Sequence, residues 1–172
     1  MRTKNKTTAK PIINPPVNAD TGVKLLYSYW FFEIIYYDII NYMPTEINCK
    51  ELIELAKTND GASLVDVRTQ AEWTEDGKPN GKEVGLNTHF ISYMVDVSEG
   101  RIINPEFEKK FDELKLDKSK AVFVMCKTGF RSLKAAQLIN QKGYKTFNII
   151  NGFVCSEDVE PSCWKTSGLP VL

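Results

Sequence analysis

Cys126 stands where a thiol can do chemistry. It follows the unbroken apolar run Ala121-Val122-Phe123-Val124-Met125 and precedes Lys127, Thr128, Gly129, Phe130 and Arg131. Such a run forms a strand buried on both faces of a parallel sheet. Ser132 to Gln141 reads as a helix. The thiol therefore lies at the C-terminal end of a buried strand and faces the first turn of the next helix, which is where open α/β sheets place their ligands. Backbone N–H groups of the loop and of the helix N-terminus point at the sulfur, adding partial positive charge to that of Lys127 and Arg131. In such surroundings a cysteine that would titrate near ~8.5 falls by roughly one to several units and is a nucleophile at neutral pH.

Cys126 to Arg131 resembles the Cys-x-x-Gly-x-Arg loop of rhodanese-type sulfurtransferases, and the likeness extends along the chain. Leu64-Val65-Asp66-Val67-Arg68-Thr69-Gln70-Ala71-Glu72-Trp73 is similar to that family's Asp-Val-Arg-x-x-x-Glu-Trp segment. Asn151-Gly152-Phe153 and Trp164-Lys165-x-x-Gly168-Leu169-Pro170 resemble its closing segments. The resemblance runs from Pro44 to Leu172. It implies an α/β fold with a central, mainly parallel sheet flanked by helices on both faces. It also implies an activity: Cys126 accepts a sulfane sulfur from a donor such as thiosulfate, becomes a persulfide, and passes the sulfur to a thiol, to cyanide or to a protein acceptor. No cofactor and no metal are implied.

Each loop residue has a role under this resemblance and a rival role. Gly129 turns the backbone with positive φ and aims its N–H inward. Lys127 and Arg131 attract an anionic donor, or Arg131 braces the loop through a carboxylate such as Asp66 or Glu72. Phe130 shields the persulfide from water or faces solvent. Thr128 is a backbone donor whose side chain trims the pocket. Asp66, Arg68 and Glu72 are supporting residues at the same sheet edge: Arg68 pairs with Glu72 and Asp66 caps the following turn, the alternative being direct contact with substrate. Two rival functions remain. Phosphatases and arsenate reductases on this fold are expected to carry one more residue between cysteine and arginine, so the Cys-x4-Arg spacing here favours sulfur. A non-catalytic interaction module is the other, and the cysteine itself argues against it.

The 172 residues accommodate one domain with an appendage, residues 1–43 and 44–172. With 42% hydrophobic residues and 22 acids against 22 bases, the composition is that of an ordinary globular protein and offers nothing to nucleic acid or acidic lipid. Cys49, Cys126, Cys155 and Cys163 are sparse and lack framework spacing, which predicts reduced thiols in a cytoplasmic protein. Cys155 or Cys163 is a candidate to resolve the persulfide by disulfide exchange. Their spacing, with a single histidine, does not suit zinc. Cys49 reads as packing.

The appendage begins with a polar, basic arm over Met1 to Asp20 and turns apolar and aromatic over Val23 to Met43. A membrane span is disfavoured: nine Val, Leu, Ile and Phe residues gain about 3–5 kcal/mol together, whereas Glu33 and Asp38 cost on the order of 2.5–3.5 kcal/mol each. The segment either packs on the domain or on a second copy, giving a homodimer through Val23–Met43, or lies upstream of a true start at Met43.

The rest of the chain alternates strand and helix. Thr45 to Ile47 reads as a first strand, and Asn48 with Glu51 makes a capping box for a helix through Lys57. Ala62 to Val67 is the next buried strand, Glu75 to Val84 a polar loop, and Leu86 to Tyr93 a strand that carries His89. As sulfur transfer needs no general base once the thiolate exists, His89 reads as a packing residue. Met94 to Pro105 connects to a helix over Glu106 to Leu114, with Phe107, Phe111 and Leu114 at helical spacing, and Lys145 to Ile150 is the last strand.

Overall fold

The computed structural model describes residues 43–155 and 160–172. The polar arm and the dimerisation expected through Val23–Met43 fall outside the described residues. Among the described residues there are seven strands: β1 (Thr45–Ile47), β2 (Ser63–Asp66), β3 (Asn87–Phe90), β4 (Met94–Val97), β5 (Gly100–Ile103), β6 (Ala121–Met125) and β7 (Lys145–Ile149). Their helices are α1 (Cys49–Thr58), α2 (Gln70–Asp76), α3 (Phe107–Glu113) and α4 (Phe130–Gln141), with a 3-10 turn at Gly81–Val84.

Five strands form one sheet in the order β1-β7-β6-β2-β3, and every neighbouring pair is parallel. All five residues of β6 are buried, as a central strand covered on both faces requires. Their side chains alternate between two cores. Ala121, Phe123 and Met125 pack with Leu52 and Ala56 of α1. Val122, Val124 and Cys126 pack with Phe107 and Phe111 of α3 and with Ala135, Ala136 and Ile139 of α4. The helices thus cover both faces, as expected, and the alternation sends the cysteine to the side of α4.

The capping box of α1 forms as read: Asn48 Oδ1 accepts from the N–H groups of Lys50 and Glu51, and Glu51 Oε2 accepts from the Asn48 N–H at 2.8 Å. A second box starts α2, where Thr69 Oγ1 accepts from the Glu72 N–H and Glu72 Oε2 from the Thr69 N–H at 2.9 Å. No apolar periodicity in the sequence announces this helix. Met94 to Pro105, which reads as a plain connection, instead carries the antiparallel hairpin β4–β5.

Cys155 and Cys163 correct the expectation of reduced thiols: they are joined in a disulfide. The Trp164 N–H donates to Gly152 O and the Lys165 N–H to Phe153 O, so the chain folds back on itself. The two Cα atoms come to 5.8 Å, within the range a bridge spans. Neither sulfur bonds to Cys126, which stays free. Among the described residues no helix is long and apolar enough to cross a membrane.

Candidate active site

Cys126 leaves the end of β6 fully buried. Its Sγ accepts a hydrogen bond from the Gly129 N–H at 3.2 Å and one from the Ser132 hydroxyl at 3.4 Å. The expected ring of amides is thus reduced, around the resting sulfur, to one N–H and one hydroxyl. Gly129 has φ +96°, a conformation that aims its N–H at the sulfur and that a side chain would resist. Gly129 is also the N-cap of α4, and it has no side chain to satisfy the first turn. The first-turn N–H groups of α4 therefore have no intrahelical acceptor and open toward the loop.

The loop backbone is held from behind by the segment after β7. The Phe153 N–H is shared between the carbonyls of Cys126 and Lys127, at 2.9 and 3.1 Å, and the Val154 N–H reaches the Lys127 carbonyl at 3.1 Å. Contact this close demands Gly152, since a Cβ there would sit 2.6 Å from Lys127 O.

Two ion pairs flank the loop. Arg131 lies bidentate on Glu72, NH1 to Oε2 and NH2 to Oε1, both at 2.7 Å. Burial would raise the Glu72 carboxyl, yet the hydrogen bonds from Arg131 and from the Thr69 N–H, with the charges of Arg131 and Arg101, hold it down at about 2. Burial would likewise pull the Arg131 guanidinium down, and Glu72, with lesser charges from Cys126 and Asp66, holds it above its ordinary value. Of the two readings of Arg131, the geometry matches the brace, with Glu72 as the carboxylate. Lys127 Nζ is bound by Asp76 Oδ2 at 3.1 Å. Phe130 is 71% exposed and faces solvent, so it shields nothing in the resting loop, and Thr128 is exposed.

The supporting residues are arranged differently from the sequence expectation. Arg68 pairs with Asp66, not with the Glu72 carboxylate: its NH2 meets Asp66 Oδ2 at 2.8 Å and its Nε meets both carboxylate oxygens. Asp66 also accepts from the Arg68 N–H, so it does cap the turn. The guanidinium reaches on to the carbonyls of Glu72 and Gly77 and lies 3.8 Å over the Phe153 ring. Burial pushes the Asp66 carboxyl up against the pull of Arg68. Asp66 and Arg68 are fully buried and join β2, α2 and the backing segment. His89 pairs in register with Val65, near Ser63 Oγ at 3.4 Å, and its imidazole is lowered by burial. It makes no hydrogen bond to the loop.

A family model, the rhodanese-like domain, matches residues 48–154. The chain belongs to the rhodanese-like family. Among its relatives, an uncharacterised protein of Rickettsia conorii is 36% identical over 115 residues, 66% of this chain and 85% of that one. Thiosulfate sulfurtransferase 18 of Arabidopsis thaliana is 33% identical over 102 residues, 58% of this chain and 71% of that one. A crystal structure of a Mycobacterium tuberculosis protein superposes with a TM-score of 0.62 at 26% identity, covering 74% of this chain and 96% of the other.

Two residues beside this rhodanese-like loop were not singled out in the sequence. Ser132 sits six positions after the cysteine, within the first turn of α4, where its hydroxyl also reaches Gly129 O at 3.0 Å. A polar residue in the first turn of a helix that faces a thiol was the available signal. Asp76 closes α2 and takes Lys127, and only knowledge of α2 could have placed it.

Proposed function

We propose that the chain is a sulfurtransferase that carries a sulfane sulfur on Cys126. The thiolate attacks the outer sulfur of a donor such as thiosulfate. A new S–S bond forms, the old one breaks, and sulfite leaves with the electron pair. A thiophilic acceptor, whether cyanide, a small thiol or a protein thiol, then takes the terminal sulfur and returns the thiolate.

The observation that carries this reading is the pair of donors on Cys126 Sγ, Gly129 N–H and Ser132 Oγ–H, at the foot of a helix whose first-turn amides are open. A second sulfur attached at about 2.05 Å would extend from Sγ toward those amides, where several N–H donors suit a large, singly charged atom. The commitment of Arg131 to Glu72 supports sulfur over phosphate, because a phosphate-binding loop needs its arginine free for the substrate oxygens. Family membership and a thiosulfate sulfurtransferase among the relatives support the same reading.

Intact mass after thiosulfate treatment tests it. The expected result is a gain of one sulfur that cyanide removes and that Cys126→Ser lacks. Hydrolysis of phosphate esters without that gain would transfer the chain to the phosphatase reading, and neither activity would leave an interaction module.

A further inference from the structure

A cleft opens at the end of the sheet away from the sulfur. The N-terminal ends of β2, β3 and β6 form its floor, where Val122 precedes Cys126 by four residues, about 13 Å along an extended strand. Its volume of about 790 Å³ lies in the range of small-molecule sites. Leu86, Leu116 and Phe90 supply apolar wall. Ser63, at the start of β2, is 5% exposed, and its hydroxyl lies 3.4 Å from His89 Nε2 in β3. The other nitrogen of that ring, Nδ1, has no hydrogen-bond partner among the described residues. Burial lowers the His89 imidazole, so the ring is neutral at pH 7 and has one nitrogen to donate and one to accept.

Three ammonium groups stand around this floor. Lys82 lies in the 3-10 turn before β3, Lys115 just after α3 and Lys120 just before β6. None of the three makes an ion pair or a side-chain hydrogen bond among the described residues. The stem of Lys120 crosses Gly61, its Nζ 3.9 Å from where a Cβ of that glycine would stand. Lys115 takes φ +50°, a left-handed backbone that is strained for a lysine and free for a glycine. Asp117 is the one acidic side chain among the described lining residues, and its Oδ1 accepts from the Ser119 N–H at 2.8 Å. The walls therefore carry a surplus of positive charge. Compact ammonium groups suit a phosphate, whereas a carboxylate is matched by the planar fork of a guanidinium.

We propose that this cleft is a binding site for a small organic phosphate, a phosphate monoester with a compact, flat apolar body. Lys115 and Lys120 hold the phosphate, with Lys82 adding its charge from the opposite wall. The body lies against Phe90 and Leu116, and the Ser63–His89 pair on the floor meets its polar edge. A monoester carries close to two negative charges at neutral pH, which answers the surplus of the walls. The ligand does not reach Cys126, so the site is separate from the sulfur chemistry and stands whether or not the sulfur-transfer reading does.

The test titrates phenyl phosphate, inorganic phosphate and benzoate into the full chain and into Cys126→Ser, followed by amide chemical shifts and by calorimetry. Phenyl phosphate is expected to saturate a single site in both proteins, with shifts at Ser63, His89, Lys115 and Lys120, and to bind about tenfold more tightly than either other probe. Lys115→Gln and Lys120→Gln are each expected to raise its Kd about tenfold while sulfur loading from thiosulfate stays within twofold of wild type. Shifts confined to Lys127–Arg131, a Kd that neither lysine variant changes, or no saturation at all would overturn the proposal. Inorganic phosphate binding as tightly as phenyl phosphate would mean an adventitious ion only, and benzoate doing so would overturn the assignment to phosphate. Binding at the cleft in a chain that loads no sulfur would remove the sulfur-transfer reading and leave this site in place.

Discussion

Removing the Glu72 carboxylate while keeping its shape, as in Glu72→Gln, separates the brace on Arg131 from the chemistry of Cys126. The carboxylate accepts both terminal nitrogens of Arg131 at 2.7 Å, and its side chain is only 9% exposed. Its fall from an ordinary 4.5 to about 2 corresponds to about 3 kcal/mol of stability at neutral pH. Loss of one partner of a largely buried pair gives a similar figure, about 3–5 kcal/mol, since the Arg131 charge is left without compensation. Because the folded value is depressed, this contribution is complete above pH about 4.5 and is lost as pH falls through about 2, with less than half of it remaining at pH 3. Urea unfolding followed by tryptophan fluorescence should therefore show the variant about 3 kcal/mol less stable than wild type at pH 7, and the gap should narrow by more than half at pH 3. A gap below about 1 kcal/mol at pH 7, or one that does not change with pH, would refute the claim that this ion pair anchors the loop.

Ser132→Ala removes the hydroxyl that donates to Cys126 Sγ, and persulfide formation from thiosulfate should slow about tenfold with little change in stability, as read by time-resolved intact mass; a rate within twofold of wild type would dismiss the contact. Gly152→Ala forces a Cβ against Lys127 O in a backbone at φ +59°, so thermal or urea unfolding should show a loss of about 2–4 kcal/mol. His89→Gln should leave sulfur loading within twofold of wild type, because His89 makes no hydrogen bond to the loop, and a tenfold loss would reopen a catalytic role for it.

What could be read from the sequence was what burial and local capping write into it. The apolar run of β6 and the Asn48–Glu51 box announce their elements without reference to the rest of the chain, and so does Cys126 at the end of that run. The hairpin was missed because all four residues of β5 are exposed, which leaves no buried face to impose alternation on Arg101 to Ile103. Helix α2 has only seven residues, too few for a periodic signal, although Thr69 and Glu72 carry its start. The partners of the charged residues were legible as types but not as pairs. Whether Glu72 holds Arg68 or Arg131 depends on how α2 lies against the loop, a tertiary fact. The bridge between Cys155 and Cys163 likewise depends on a chain reversal after Gly152 that no local rule encodes.

The alternation of β6 between two cores carries a constraint of parity. A single residue inserted or deleted within Ala121–Met125 would swing Cys126 to the side of α1, away from the Ser132 hydroxyl, while every neighbouring strand kept its place. Point changes among Val, Ile and Leu in that strand alter packing by degrees, but a change of length by an odd count reverses which half of the molecule holds the reactive atom. Among proteins built on this plan, the spacing from the start of this strand to its cysteine is thus expected to drift only in steps of two.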